Sequence, residues 1–298
     1  MQIRSLSTVD ECRHVAALER VIWRYSDADE VVPPAVLVAS LKRGGVLLGA
    51  FDDAGGAEMQ GYVYGAAALK EGRPAHWSHA LGVTPASRGR GIASALKAAQ
   101  RQHALRMGLD LIEWTFDPLQ SASAHLNFAK LGIIVEEYAE NLYGESSSAL
   151  HRGAPTDRFI AQWHLSTPHV ERRIAATARA AANPRGTAGF ENRRHASASI
   201  TVRDSAVLSA VLVNASRDAD GWLRPGISSL DAEATRVLVE IPTNFSEMLV
   251  QQPDLARDWR LATRRIFQAY LSRGYRVVDF FAVRERGRGH YLLAKAAG

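Results

Sequence analysis

Apolar residues recur at helical spacing from Val9 to Tyr25, where Val15, Leu18, Val21, Ile22 and Tyr25 share one face, just after a short apolar strand at Ile3 to Leu6. Thr8 or Asp10 is placed to cap that helix. Pro33-Pro34 breaks the pattern, a second short helix is predicted over about Ala35 to Lys42, and Gly44-Gly45 ends it. Val46 to Phe51 and Met59 to Leu69 then read as strands joined through Asp52-Asp53-Ala54-Gly55-Gly56, a hairpin.

A further strand, Ala75 to Val83, runs into a turn rich in proline and glycine, and Gly91 to Met107 follows as a strong helix closed by Gly108. Leu111 to Phe116 is a strand stopped by Asp117-Pro118, Ser121 to Leu131 a helix stopped by Gly132, and Ile133 to Leu142 a strand. This alternation predicts parallel pairing around the glycine turn, with a ligand beyond the carboxyl ends of the strands. Gly144 to Thr156 reads as a loop, Arg158 to Leu165 as a closing strand and Val170 to Ala182 as a helix. Asn183 to Ser199 mixes Pro, Gly, Asn and Arg without periodicity, so the lobe boundary is placed there. Beyond it come strands near Ile200 to Val202, Val211 to Val213, Arg236 to Ile241, Arg276 to Val283 and His290 to Ala294, with a helix from about Asp254 to Leu271.

The length of 298 residues fits two lobes better than one core, and 47% hydrophobic with 22% charged residues is ordinary for a globular chain. Cys12 is the only cysteine, which excludes an intramolecular disulfide and a cysteine-built zinc site. With no signal-peptide pattern and no long apolar run, a cytoplasmic protein without a membrane partner is expected. The net charge of +5 rests on arginines such as Arg88, Arg90, Arg172 and Arg173. It suits a polyanionic cofactor as well as nucleic acid, and the chain lacks an aromatic-interleaved basic platform, so a nucleic-acid partner is not expected.

The stretch Arg88-Gly89-Arg90-Gly91-Ile92-Ala93 follows a strand and opens a helix. Glycines there let backbone N–H groups converge, the helix start adds its positive dipole end, and the two arginines supply charge, which together make a pyrophosphate cradle. A dinucleotide fingerprint needs a third glycine where Ser94 stands.

On this motif and on the order of elements from Met1 to Leu165 the chain resembles the GNAT superfamily of acyl-CoA-dependent N-acyltransferases. The resemblance implies an α/β class with a mixed sheet and a GNAT fold over 1–168; the residue pattern adds a helix and linker over 169–199 and a smaller α/β lobe over 200–298, a degenerate GNAT-like half or a cap. It also implies that Trp77 to Val83 is the bulged strand whose backbone bonds pantetheine, so Leu81, Gly82 and Val83 join Arg88 to Ala93 in holding acetyl-CoA or another acyl-CoA. Ser121, Ala124, Phe128, Lys130, Gly132 and Ile133 match a family helix pattern, with two departures. Ser121 replaces an asparagine that commonly bonds the cofactor, and Phe128 replaces the tyrosine that protonates the leaving thiolate.

The acid is therefore sought at Tyr143, with Tyr138 as the alternative, both taken to lie on the neighbouring strand with opposite orientations. His79, on the motif strand, is the favoured base, its ordinary pKa of about 6.5 suiting proton pick-up near neutrality; Glu113 is the next candidate. His76 and His79 should face opposite sides of their strand, which excludes a two-histidine metal clamp, and no metal is expected. Asp157-Arg158 reads as a surface ion pair or a carboxylate clamp, and Phe245 as core or pocket lining. The reading is acyl transfer to a primary amine of a small molecule, an amino acid among the candidates, against a non-catalytic acyl-CoA sensor. The oligomeric state is open, a homodimer being one allowed state.

Overall fold

Thr8, and not Asp10, starts the first helix. Its hydroxyl accepts from the Glu11 backbone N–H while the Glu11 carboxylate reaches back to the Thr8 N–H, a complete capping box. The computed structural model describes residues 1–25, 27, 30–52, 58–144, 153–182 and 209–295. The turn at 53–57, the loop at 145–152, the predicted boundary at 183–199 and the predicted strand at 200–202 lie outside them. The chain divides into two units: Met1–Trp114 with Ser146–Gly153 and Trp163–Glu171, and Thr115–Glu145 with Ala154–Gln162 and Arg172–Gly298. They interleave along the chain, and Thr115–Glu145 clusters with the C-terminal residues.

In the first unit, β1 (Gln2–Ser5), β2 (Val46–Phe51), β3 (Met59–Lys70) and β4 (Arg73–Val83) form an antiparallel run in that order. β5 (Leu111–Phe116) then pairs with β4 in parallel through His76↔Ile112 and Trp77↔Glu113, as the alternation predicted. α1 (Val9–Trp23) and α2 (Pro34–Leu41) cover one face with Cys12, Val15, Ile22 and Leu37 against Leu47, Tyr62 and Tyr64. α3 (Ile92–Arg106) covers the other, with Ile92 and Leu96 against Val46, Leu48, Ala50 and Val63. Each fully buried aliphatic side chain contributes roughly 1.5–3 kcal/mol. The predicted apolar face of α1 needs correction at Val21, which is exposed; Cys12, Ala16 and Glu19 complete the buried face.

The second unit contains α4 (Ser121–Ala124), β6 (Ile134–Ala139), most of β7 (Arg158–His164), most of α5 (Pro168–Ala182), β8 (Val211–Leu212), β9 (Arg217–Ala219), β10 (Trp222–Arg224), β11 (Arg236–Pro242), α6 (Phe245–Gln251), α7 (Pro253–Ser272), β12 (Tyr275–Val283) and β13 (Arg288–Lys295). The helix expected from Ser121 to Leu131 turns π-helical at His125–Leu131. The strand after it stops at Ala139, short of the predicted Leu142. Strand order is β7-β6-β12-β13-β11-β8, antiparallel except for β11 with β8.

Aromatic rings fill this core: Phe159 meets Phe267 at 4.6 Å and Tyr291 at 5.5 Å. Phe245 belongs to it, buried with the Arg260 guanidinium 5.2 Å from its ring. Two charged pairs accompany the rings, one buried and one with its arginine half-buried. Arg260 grips Asp117 through 2.6 and 2.7 Å bonds, and Arg264 grips Asp157 through 2.8 and 2.9 Å bonds. Asp157-Arg158 is accordingly not a surface ion pair: both are buried and Asp157 pairs with Arg264.

Burial alone would raise the Asp117 pKa, but the Arg260 charge and hydrogen bonds, the Arg158 charge and the Leu119 N–H together outweigh it, and the pKa lies below the usual carboxylate value. Its stabilisation is therefore present above the unfolded-state pKa and lost as pH falls through the lowered folded-state value. Asp117→Ala should cost roughly 3–5 kcal/mol because it strands the Arg260 charge. Asp117→Leu with Arg260→Met should cost far less. Denaturant midpoints decide between them, and equal losses would contradict this account of the pair.

Candidate functional site

The central feature of the first unit is a β-bulge. Ala66 opposes Trp77 and Tyr64 opposes Ala80, so Gly65 alone faces both Ser78 and His79. Gly65 is required there: a Cβ would lie 2.2 Å from His76 Nε2 and 2.8 Å from the Trp77 carbonyl oxygen. The bulge lies where the resemblance placed it. The parallel ladder with β5 ends at Trp77↔Glu113, and past that point β4 pairs with β3 through Ala80, Leu81, Gly82 and Val83.

Gly82 leaves no room on the α1 side, where a Cβ would come within 2.7 Å of Ile22 and 2.9 Å of Trp23. Leu81 and Val83 pack toward α3. Any ligand of this segment must therefore use its backbone, as an extended amide-bearing arm does along a strand edge.

Beyond β4, Gly89 and Gly91 adopt φ of +79° and +81°, and a Cβ at either would meet nothing within 4 Å. They are needed for backbone conformation, not for packing. Gly91 is the N-cap of α3 with no side-chain cap, which leaves the first-turn N–H groups of a 15-residue helix without a side-chain acceptor. Arg88 is exposed, its guanidinium without a partner among the described residues, while Arg90 is held by Gln60 at 3.1 Å and Asp52 at 3.6 Å. Arg88 thus offers a guanidinium with no protein partner among the described residues beside the glycine turn.

His79 is exposed at its edge and meets Tyr64 at 5.8 Å on the α1 face, where the surrounding protein lowers its pKa by desolvation. A lowered pKa favours the neutral ring, the form a base needs. Glu113 points to the same face, because its neighbour Trp114 packs over Lys97 of α3. It is buried, with Lys70 Nζ 3.4 Å from Oε1 and no hydrogen bond to that oxygen among the described residues. His76 faces α3 instead, bonded to Gln100, so the expected opposition of His76 and His79 holds.

The other predicted site residues, Ser121 and Tyr143, belong to the second unit. The Ser121 hydroxyl donates to the Thr243 carbonyl. Tyr143 is not on a strand: it lies in the turn after β6, so strand parity with Tyr138 does not apply. Its exposed hydroxyl shares a 2.8 Å bond with Thr115 Oγ1, and the Arg158 guanidinium lies 5.4 Å from its ring. Tyr138 donates to Asp157, and burial followed by that carboxylate's charge raises its pKa. Phe128 is wholly buried against Phe116 and Tyr291.

Sequence reasoning missed the polar network behind the bulge. Lys97 Nζ donates to Ser78 Oγ at 3.0 Å and to Gln100 Oε1 at 2.9 Å, and Gln100 Nε2 lies 3.2 Å from His76 Nε2. The available signal was Lys97 and Gln100 at i, i+3 spacing on a helix face that otherwise carries Ile92, Leu96 and Ala104.

Substituting aspartate for Gly91 should abolish CoA binding, since the carboxylate enters an anion cradle and the φ of +81° strains any side chain. Calorimetric titration with CoA checks this. An affinity within about twofold of the parent, with the fold intact, would place the phosphates elsewhere.

No protein-family model and no curated protein match the chain. Similar solved structures include an acetyltransferase of the GNAT family from Streptococcus pneumoniae, 20% identical over 54% of this chain and 97% of that one, with a TM-score of 0.43. They also include the ribosomal-protein-S18-alanine N-acetyltransferase from Escherichia coli, 14% identical over 56% and 94%, with a TM-score of 0.44. The NatC complex bound to Gag peptide and CoA has a chain 17% identical over 56% and 100%, with a TM-score of 0.44. Among solved structures, this chain is similar in fold to acetyltransferases of the GNAT family.

Proposed function

We propose that the chain transfers an acyl group, acetyl or succinyl, from a CoA thioester to a primary amine of a small molecule, an amino acid being one candidate acceptor. The observation that carries this is the continuous run of bulged strand, positive-φ glycines and uncapped helix in β4, Gly89 to Gly91 and α3. In this reading the α3 N-terminus and Arg88 hold the diphosphate. The free edge of β4 at Leu81 to Val83 aligns the pantetheine amides. CoA supplies an activated thioester carbonyl. His79 takes the proton that the attacking nitrogen loses, with Glu113 on the same face as the alternative base, and Tyr143 protonates the thiolate.

A second reading, a non-catalytic acyl-CoA sensor, is favoured by one observation, the ring without a hydroxyl at Phe128. Screening acetyl-CoA and succinyl-CoA against L- and D-amino acids, polyamines and aminoglycosides, with free thiol as readout, separates the two. Amine-dependent thiol release supports the enzyme, and CoA binding without release supports the sensor.

The lowered His79 pKa favours the unprotonated base, so the acid limb of kcat/KM follows that group. His79→Ala should remove this limb and lower kcat/KM on the order of a hundredfold while leaving the acyl-CoA KM nearly unchanged. An unchanged profile would transfer the role to Glu113 or water. Tyr143→Phe should cost about one to two orders of magnitude in turnover with CoA affinity retained; a silent variant would mean that sulfur takes its proton from water.

A further inference from the structure

Among the described lysines of this unit Lys97 alone is buried, at 2% exposure, and it forms no ion pair with a carboxylate among the described residues. Its three donor directions end on neutral groups: Ser78 Oγ at 3.0 Å, Gln100 Oε1 at 2.9 Å and the Trp114 ring, whose centroid is 3.6 Å from Nζ. Trp163 stands further off at 5.4 Å. That is the coordination of an ammonium, which has three protons to place and seeks the face of an indole. Methionine would fill the same volume without the cost of burying a charge.

The location gives the charge a use. Trp77↔Glu113 is the last pair of the β4/β5 ladder, and the residues next along each strand are Ser78 and Trp114. Lys97 touches both, so its Nζ lies on the α3 side of the point where the ladder between these strands ends. The titratable or charged groups around it are His76 from β4 and, one turn on, Arg101 of α3, which is tied to the Leu165 carbonyl. Burial first, and the Lys97 charge second, lower the His76 pKa to about 4, so His76 adds no positive charge at neutral pH. Trp114 from β5 and Trp163 from β7 carry none. Burial pulls the Lys97 pKa down, towards the neutral amine, and an anion developing nearby opposes that pull.

Resting on the acyl-transfer reading above, we propose that Lys97 supplies the positive charge that stabilises the departing thiolate. The amine nitrogen bonds to the thioester carbonyl carbon and gives its proton to His79. The carbon–sulfur bond breaks with its electron pair on sulfur, and the sulfur takes a proton from Tyr143 or water, leaving amide and free thiol. Lys97 exchanges no atom in this sequence; it acts through its field across the strand, so it is a positioning charge and not a proton donor.

The test compares Lys97→Met and Lys97→Arg with the parent, using CoA itself as probe. Ultraviolet titration of the thiolate of bound CoA should show a thiol pKa lower by about one unit or more in the parent than in Lys97→Met. Lys97→Arg should restore the shift. Lys97→Met should melt at the same temperature or higher, because a buried charge is gone, while turnover falls about tenfold or more at an unchanged acyl-CoA KM. A merely structural lysine would instead lower melting temperature and activity together and leave the thiol unshifted. CoA that binds the parent with an ordinary thiol pKa overturns this inference alone; CoA that does not bind overturns the acyl-transfer reading and this inference with it.

Discussion

One extra residue in β4 governs the first unit. With Ser78 and His79 both opposite Gly65, the alternation of β4 changes step, and everything after the bulge is aimed by it. Ser78 is directed to α3 and His79 to α1, Leu81 and Val83 return to α3, and Gly82 takes the face of Trp23 and Tyr62. Without the extra residue, the segment leading to the glycine turn would present the opposite faces. Gly65 makes the bulge possible, and the network of His76, Gln100, Ser78 and Lys97 fills the space behind it with polar atoms that bond one another.

The second unit solves burial differently. Its charges come as tight pairs, Arg260 with Asp117 and Arg264 with Asp157, set among Phe159, Phe267 and Tyr291. Paired guanidinium and carboxylate groups in such a core favour a single arrangement, since either group alone would be stranded. Lys97 in the first unit has no such partner among the described residues.

Much of the first unit was legible because local rules and tertiary structure agree there. Val46–Phe51 and Leu111–Phe116 begin and end as predicted, since apolar runs bounded by glycine, aspartate and proline have few alternatives. The glycine turn was legible for the same reason, as positive φ at Gly89 and Gly91 is a local property. α6 was not, because Phe245–Gln251 is short and directly follows a strand stopped by proline. β9 and β10, three residues each, carry too little period to read. The π-helical turn at His125–Leu131 and the end of β6 at Ala139 depend on packing and moved Tyr143 off the strand. The Lys97 network was hidden because a buried lysine looks, in sequence, like any exposed one.

The central claim is that bulged strand and glycine turn together bind one extended, anionic thioester ligand. Hydrogen–deuterium exchange with and without CoA tests it at the level of individual segments. The account predicts that CoA protects the backbone amides from Leu81 through the first turn of α3, including Gly89 to Ala93. Protection confined to other segments, with Leu81 to Ala93 exchanging as in the free protein, would contradict it.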